Sequence, residues 1–99
     1  MSASESRRIT QVMSLSRNEF AMSMAAFLGS EVALERDTHR VPVASGYVDI
    51  GYRELAGVRL GGLLALPRAE VSLEFAGVGE ADQRVFLRRF DIAFQRGGG

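Results

Sequence analysis

The residues of this chain that could carry acid–base or nucleophilic chemistry are few and scattered. His39 is the only histidine and cysteine is absent, which excludes a thiol nucleophile, a zinc–thiolate site and an iron–sulfur cluster. Glu70 and Glu74 share one face of a predicted strand. Arg53 and Arg59 on the preceding segments are expected to pair with these carboxylates across the sheet. We therefore predict no catalytic residue, cofactor or metal, and interpret His39 as a solvated loop residue.

The basic residues are all arginine, and the chain has no lysine, which excludes Schiff-base chemistry and a P-loop lysine. The 12 basic and 12 acidic residues balance, which argues against a generic nucleic-acid binder. Arg88 and Arg89 lie on the last predicted helix, where arginines either complement the helix dipole or contact an acidic partner. Only Tyr47 is an aromatic residue predicted on the open sheet face, so stacking on RNA bases is not expected.

The last residues are Gln95-Arg96-Gly97-Gly98-Gly99. The pair Gly98 and Gly99 resembles the tails of ubiquitin-like modifiers and bacterial sulfur carriers, and this resemblance implies a carrier whose terminal carboxylate is adenylated. Those families have a ββαββ order in which the tail follows a strand, whereas here it follows a predicted helix. The alternative interpretation makes Gly97 a helix C-cap and residues 97–99 a flexible tail.

Length and composition predict one domain. A chain of 99 residues with 46% hydrophobic residues can build one core but not two. No apolar run approaches the roughly 20 residues that span a bilayer, and the first residues lack the apolar segment of a signal peptide. We expect a cytoplasmic protein without a membrane span, with a mobile segment at residues 1–7 and a domain at residues 8–96.

The first half of the chain predicts a strand, a helix and an irregular connection. Residues 9–15 permit a strand, and Ser16 with Glu19 matches a capping box that starts a helix at Arg17. Gly29 is placed to end that helix. Residues 30–46 are expected to be an irregular, partly extended connection, with a turn at 36–39 and with Pro42 unfavourable to a central strand. Whether residues 31–35 are strand, helix or loop stays open.

The second half shows a change of apolar spacing from every second residue to every fourth, which is typical of a helix laid across a sheet. Three strands are predicted, at residues 47–55, 58–66 and 69–75. Short hairpin connections are expected at residues 56–57 and 67–68. Phe86, Phe90 and Phe94 then form the buried stripe of a closing helix.

These elements predict a two-layer α+β fold in the order β-α-(β)-β-β-β-α. The antiparallel sheet should have about three to five strands, with both helices packed on one face. This layout resembles TATA-box-binding-like and helix-grip layouts, a resemblance of fold that transfers no function.

The predicted strand 58–66 is the one segment that core burial leaves unexplained. Four of its residues share one parity: Val58, Leu60, Leu64 and Leu66. Two apolar residues have the other parity: Leu63 and Ala65. Either Gly61-Gly62 forms a bulge that shifts the alternation, or the outer face of the strand carries an apolar patch.

We therefore predict a small non-enzymatic binding or assembly protein that acts through a protein–protein or self-association surface. The candidate surface residues are Tyr47, Leu63, Ala65, Arg88 and Arg89. A second hypothesis is a small-ligand-binding domain or minor enzyme, with a pocket between helices and sheet lined by Met22, Met24, Tyr52 and Phe90. The third hypothesis is the carrier, acting through Gly98 and Gly99.

Overall fold

The architecture is a four-stranded antiparallel sheet with two helices on one face, seen in a computed structural model that describes residues 7–30, 36–62 and 64–98. The elements in chain order are β1 (Arg7–Met13), α1 (Arg17–Leu28), β2 (Thr38–Val43), β3 (Gly46–Leu60), β4 (Leu64–Ala76) and α2 (Glu80–Gly98). The spatial order of the strands is β1-β4-β3-β2. The predicted two-layer α+β class is confirmed.

Helix α1 begins and ends as its sequence signals predict. The Ser16 hydroxyl accepts a hydrogen bond from the Glu19 amide at 3.2 Å, and the Glu19 carboxylate accepts one from the Ser16 amide at 2.8 Å. Gly29 adopts the left-handed conformation with φ of 77°, and its amide donates to the Ala25 carbonyl at 2.8 Å. An N-cap of this kind contributes about 0.5–2 kcal/mol, so the helix start is specified locally.

The core lies between the helices and the inner face of the sheet. Its sheet side is formed by alternate residues of the two central strands, among them Val48, Ile50 and Leu73, all fully buried. On the helical side, the phenylalanine stripe of α2 is buried as predicted, and the rings of Phe90 and Phe94 stack with centroids 4.1 Å apart. Burial of each such side chain contributes about 1.5–3 kcal/mol. Both helices therefore owe their positions to this one apolar face.

The prediction of three strands between residues 47 and 75 is wrong, because this segment forms two long ones. Residues 56–57 are not a hairpin: Leu55 pairs with Arg68 and Val58 with Leu66, so two residues of β3 oppose Pro67 alone in a β-bulge. Residues 67–68 lie inside β4 rather than in a turn. The hairpin turn is at Gly61-Gly62, which were expected to be a bulge or part of a strand. A bulge and a turn both interrupt the alternation, so spacing alone does not separate them.

Residues 38–43 form the regular strand β2. The expectation of a partly extended segment fits this strand, but the expected irregularity and the turn at 36–39 are wrong there. Pro42 is compatible with β2 because this is an edge strand, where one row of backbone amides needs no partner.

The predictions for the ends of the chain and for residues 31–35 have mixed outcomes. Residues 31–35, for which the sequence favours no single structure, lie outside the described residues, as do residues 1–6. Arg7 belongs to β1. Gly97, expected as a C-cap, lies within α2.

The distal parts of β3 and β4 project beyond the rest of the sheet. β1 pairs only with residues 69–75 of β4, and β2 pairs only with residues 46–51 of β3. The remaining ribbon, residues 55–60 and 64–68 with the Gly61-Gly62 turn, is called the arm below. It accounts for principal-axis extents of 51 × 26 × 23 Å. The radius of gyration of 14.5 Å likewise exceeds the value of about 13 Å usual for a compact chain of this length.

Candidate functional site: the arm

One face of the arm is aliphatic and open to solvent. The cross-strand pairs Val58–Leu66 and Leu60–Leu64 place four apolar side chains on the sheet face that points away from the helices. The exposed fractions are 36% for Val58, 49% for Leu60 and 53% for Leu64. With Leu55, which is half-buried, these four residues define the arm's apolar face.

The β-bulge is what gathers these side chains on one face. In a regular strand Leu55 and Val58 would point to opposite sides, because side chains alternate with a period of two. The bulge adds one residue to β3, so Leu55 and Val58 point to the same side of the sheet. Leu55 lies beside Arg68 there, and Val58 lies beside Leu66. Gly57 fits there because it has no side chain: a Cβ atom at this position would lie 2.9 Å from the Leu66 carbonyl oxygen.

The tip of the arm is a glycine turn. Gly61 and Gly62 have φ angles of 64° and 74°, which side chains with a Cβ adopt only at a steric cost. Neither glycine has an atom within 4 Å of where a Cβ would stand. Backbone conformation, and not crowding, is therefore the reason that glycine is suited to both positions.

At its base the arm gives way to a charged part of the sheet. The Arg53 guanidinium donates to Glu70 Oε1 from Nε at 3.2 Å and from Nη2 at 2.9 Å, which confirms the predicted pairing of these two residues. Arg59 is different: its register partner is Ala65, so the expected pairing of Arg59 with Glu74 does not occur. Exposed ion pairs of this kind contribute little to stability. The pair lies one outward row beyond Leu55 and Arg68, on the charged part of the same sheet face.

A solvent-exposed apolar ribbon is an unusual feature for a small domain. An isolated two-stranded hairpin is only marginally stable in water, and contiguous exposed apolar surface commonly marks an interaction site. The open edges of the arm are protected against further strand pairing. Pro67 removes an amide from β4, and the bulge at residues 56–57 distorts β3. The aliphatic face is thus the part of the arm that offers apolar surface to a partner.

Tyr47, proposed from sequence as part of a partner surface, lies far from the arm. The Arg40 guanidinium carbon stands 3.8 Å from the centroid of the Tyr47 ring, and Arg40 also donates to both Asp49 carboxylate oxygens at 2.8 and 3.0 Å. These bonds lower the pKa of Asp49. Tyr47 pairs with Ala76 at the other end of β4, about 36 Å from Ala65 at 3.3 Å per residue.

Arg88 and Arg89 lie on α2, in the helical layer. The Arg89 guanidinium carbon is 5.9 Å from the centroid of the Phe27 ring. Leu63 lies outside the described residues, and Ala65 is exposed on the arm opposite its apolar face. The five residues proposed as a partner surface are therefore not brought together in the described part of the chain.

The pocket residues proposed from sequence are also separated. Met24, Tyr52 and Phe90 are buried in the core, whereas Met22 is 71% exposed. Met22 lines a surface groove of 770 Å³ between α1 and α2. The four side chains thus do not line one cavity. For the carrier hypothesis, Gly98 is the last residue of α2 and Gly99 is outside the described residues.

His39 is a half-buried residue of β2, so its interpretation as a solvated loop residue is wrong. Its ring centroid lies 6.0 Å from that of Phe20. Its Nε2 is buried without a hydrogen-bond partner among the described residues. Burial, followed by the nearby Arg36 charge, lowers the pKa of His39. Within the same part of the chain, no three His, Asp or Glu side chains are grouped to hold a metal ion.

The residues that sequence reasoning missed are those of the arm's apolar face. The spacing of Val58, Leu60, Leu64 and Leu66 places them on one face of a strand but does not show whether another element covers that face. The pair Gly61-Gly62 between two apolar runs was the available signal, because Gly-Gly favours a hairpin turn.

Neither described helix is long and apolar enough to cross a membrane. Searches of protein-family models, of curated proteins and of solved structures found no match to this chain.

Proposed function

We propose that this protein is a non-enzymatic binding or assembly protein that contacts another polypeptide through the arm's apolar face. The observation that carries the proposal is the exposure of Val58, Leu60 and Leu64 on a ribbon that no other described element covers. Each side chain leaves apolar area in water that a partner would remove, a gain of about 25 cal/mol per Å².

The position of the arm supports the same conclusion. Among the described residues, none of the buried apolar side chains that form the core lies between Arg53 and Arg68, so the arm contributes little to the packing of the domain. A projecting ribbon that the core does not need is well placed to reach a partner while the fold stays intact.

Site-specific photo-crosslinking in the producing cell tests this proposal. A photoreactive amino acid at Leu64 should form an adduct with a polypeptide, and the additional substitution Leu60→Arg should abolish that adduct. The matched control carries the same photoreactive residue at Ile92, which is 56% exposed on α2, and should give no adduct that depends on Leu60. If position 64 forms no polypeptide adduct, the proposed function is wrong.

A further inference from the structure

We infer that the partner of the arm is a second copy of this chain, and that two arms pack with their apolar faces together in antiparallel orientation about a two-fold axis. This inference rests on the proposed function, since it names the occupant of the same surface. The axis passes beside the middle pair of the face, Val58 and Leu66, so that each of these residues meets its own counterpart.

The chemistry of the face suits a copy of itself. From the tip to the Leu60–Leu64 and Val58–Leu66 pairs, the described outward side chains are aliphatic, and the first charge towards the body is Arg68. An aliphatic surface of this kind matches another uncharged surface without leaving a buried charge unpaired. In the antiparallel arrangement Leu60 meets Leu55 of the second copy. Leu64 meets the aliphatic stem of Arg68 of the second copy, whose charged head remains in water.

Charge on the rest of the sheet selects this orientation over the parallel one. One row across the outer face contains, from β1 to β2, the residues Arg8, Glu74, Asp49 and Arg40. In a parallel face-to-face dimer the strand order of the second copy is reversed, so Glu74 would face Asp49 and Arg8 would face Arg40. Like charges opposed in this way are unfavourable. The antiparallel arrangement places the two rows at opposite ends of the dimer.

The area of the arm determines how strong this dimer is. From Arg68 to Leu64 the face is about 13 Å long, or about 20 Å with side chains, and two strands make it about 10 Å wide. The resulting footprint of about 200 Å² per copy is well below the roughly 800 Å² per partner of a stable complex. The dimer is therefore weak and reversible, and its population depends on concentration.

Sedimentation velocity on the full chain, measured over a dilution series, gives the dimer dissociation constant and tests the inference. The variants compared carry a positive or a negative charge at a residue on the two-fold axis. Val58→Arg and Val58→Glu should each raise the dimer dissociation constant at least about 100-fold, because like charges then meet at the axis. An equimolar mixture of the two variants should recover the dimer, since opposite charges meet. The pair Leu66→Arg and Leu66→Glu repeats the test at the second axial position.

The control pair is Ile92→Arg and Ile92→Glu on the helical layer, which should dimerise like the unmodified chain, alone or mixed. A monomer at every concentration, or variants whose mixture does not recover the dimer, overturns self-pairing. The crosslinking experiment then separates the two conclusions. An adduct at position 64 to a different polypeptide leaves the proposed function standing, an adduct of twice the chain mass supports self-pairing, and adducts only to lipid reject both.

Discussion

Removing the arm should leave the domain folded. In the variant we consider, residues 56–67 are replaced by Asn-Gly, which joins Leu55 to Arg68 with a residue pair that favours a tight hairpin. The retained strands keep every pairing of β4 with β1 and of β3 with β2, because those pairings end before the arm begins.

The expected change in the free energy of unfolding is less than about 1 kcal/mol, the range usual for changes that touch no core side chain. None of the described side chains of residues 56–67 is fully buried, so their removal creates no cavity in the described core. The replaced residues include Leu60 and Leu64, which are already about half exposed in the folded chain. Shortening the connection between β3 and β4 also lowers the entropy cost of closing it.

Urea unfolding followed by circular dichroism measures this change, with the slope m expected to fall modestly because less surface is exposed on unfolding. Directly opposite residues in an antiparallel pair of strands alternate between hydrogen-bonded and non-hydrogen-bonded pairs, and a tight turn has to close the correct kind of pair. A second variant therefore joins Glu54 to Ala69, so that one of the two variants closes a hydrogen-bonded pair and the other a non-hydrogen-bonded pair. Phe90→Ala calibrates the assay, with an expected loss of about 3–5 kcal/mol. A loss above about 3 kcal/mol in both arm variants would show that the arm belongs to the folding unit and would refute the reasoning.

Two further predictions concern the body of the domain. Gly46→Ala should cost about 1–3 kcal/mol by urea unfolding, because the added Cβ would lie 2.0 Å from the backbone oxygen of Ala76. Gly79→Ala adds its Cβ in open space and should cost less, about 0.5–1 kcal/mol, because glycine is preferred to alanine at the N-cap of α2; equal effects would contradict the clash. His39 has a pKa below its ordinary value of 6.5 in the folded chain, so the unfolded chain binds the proton first and stability falls as pH drops below about 6.5. In His39→Gln the decrease between about pH 7 and pH 5 should be smaller, and an unchanged pH profile would assign that decrease to other groups.

The local rules of the sequence were sufficient for α1 and for the inner faces of the sheet and α2. Ser16, Glu19 and Gly29 interact within one or two turns, so their spacing alone specifies where α1 begins and ends. The stripe of Phe86 and Phe90 follows directly from the period of a helix packed on one face.

The path of the chain between residues 46 and 76 was decided by the tertiary structure. An interruption of alternation at Gly57 and another at Gly61 look alike in sequence, and only the register with β4 shows that the first is a bulge and the second a turn. The exposure of a side chain also depends on residues that are distant in sequence. Val58 and Leu64 have the residue types of a core strand. They are open to water because β1 and β2 end before reaching them and no described helix covers them. The sequence by itself thus determined the fold class, the two caps of α1 and the aromatic core, because these depend on neighbours in the chain. Which apolar strand face stays uncovered depends on where other strands stop, and the arm could be recognised only in three dimensions.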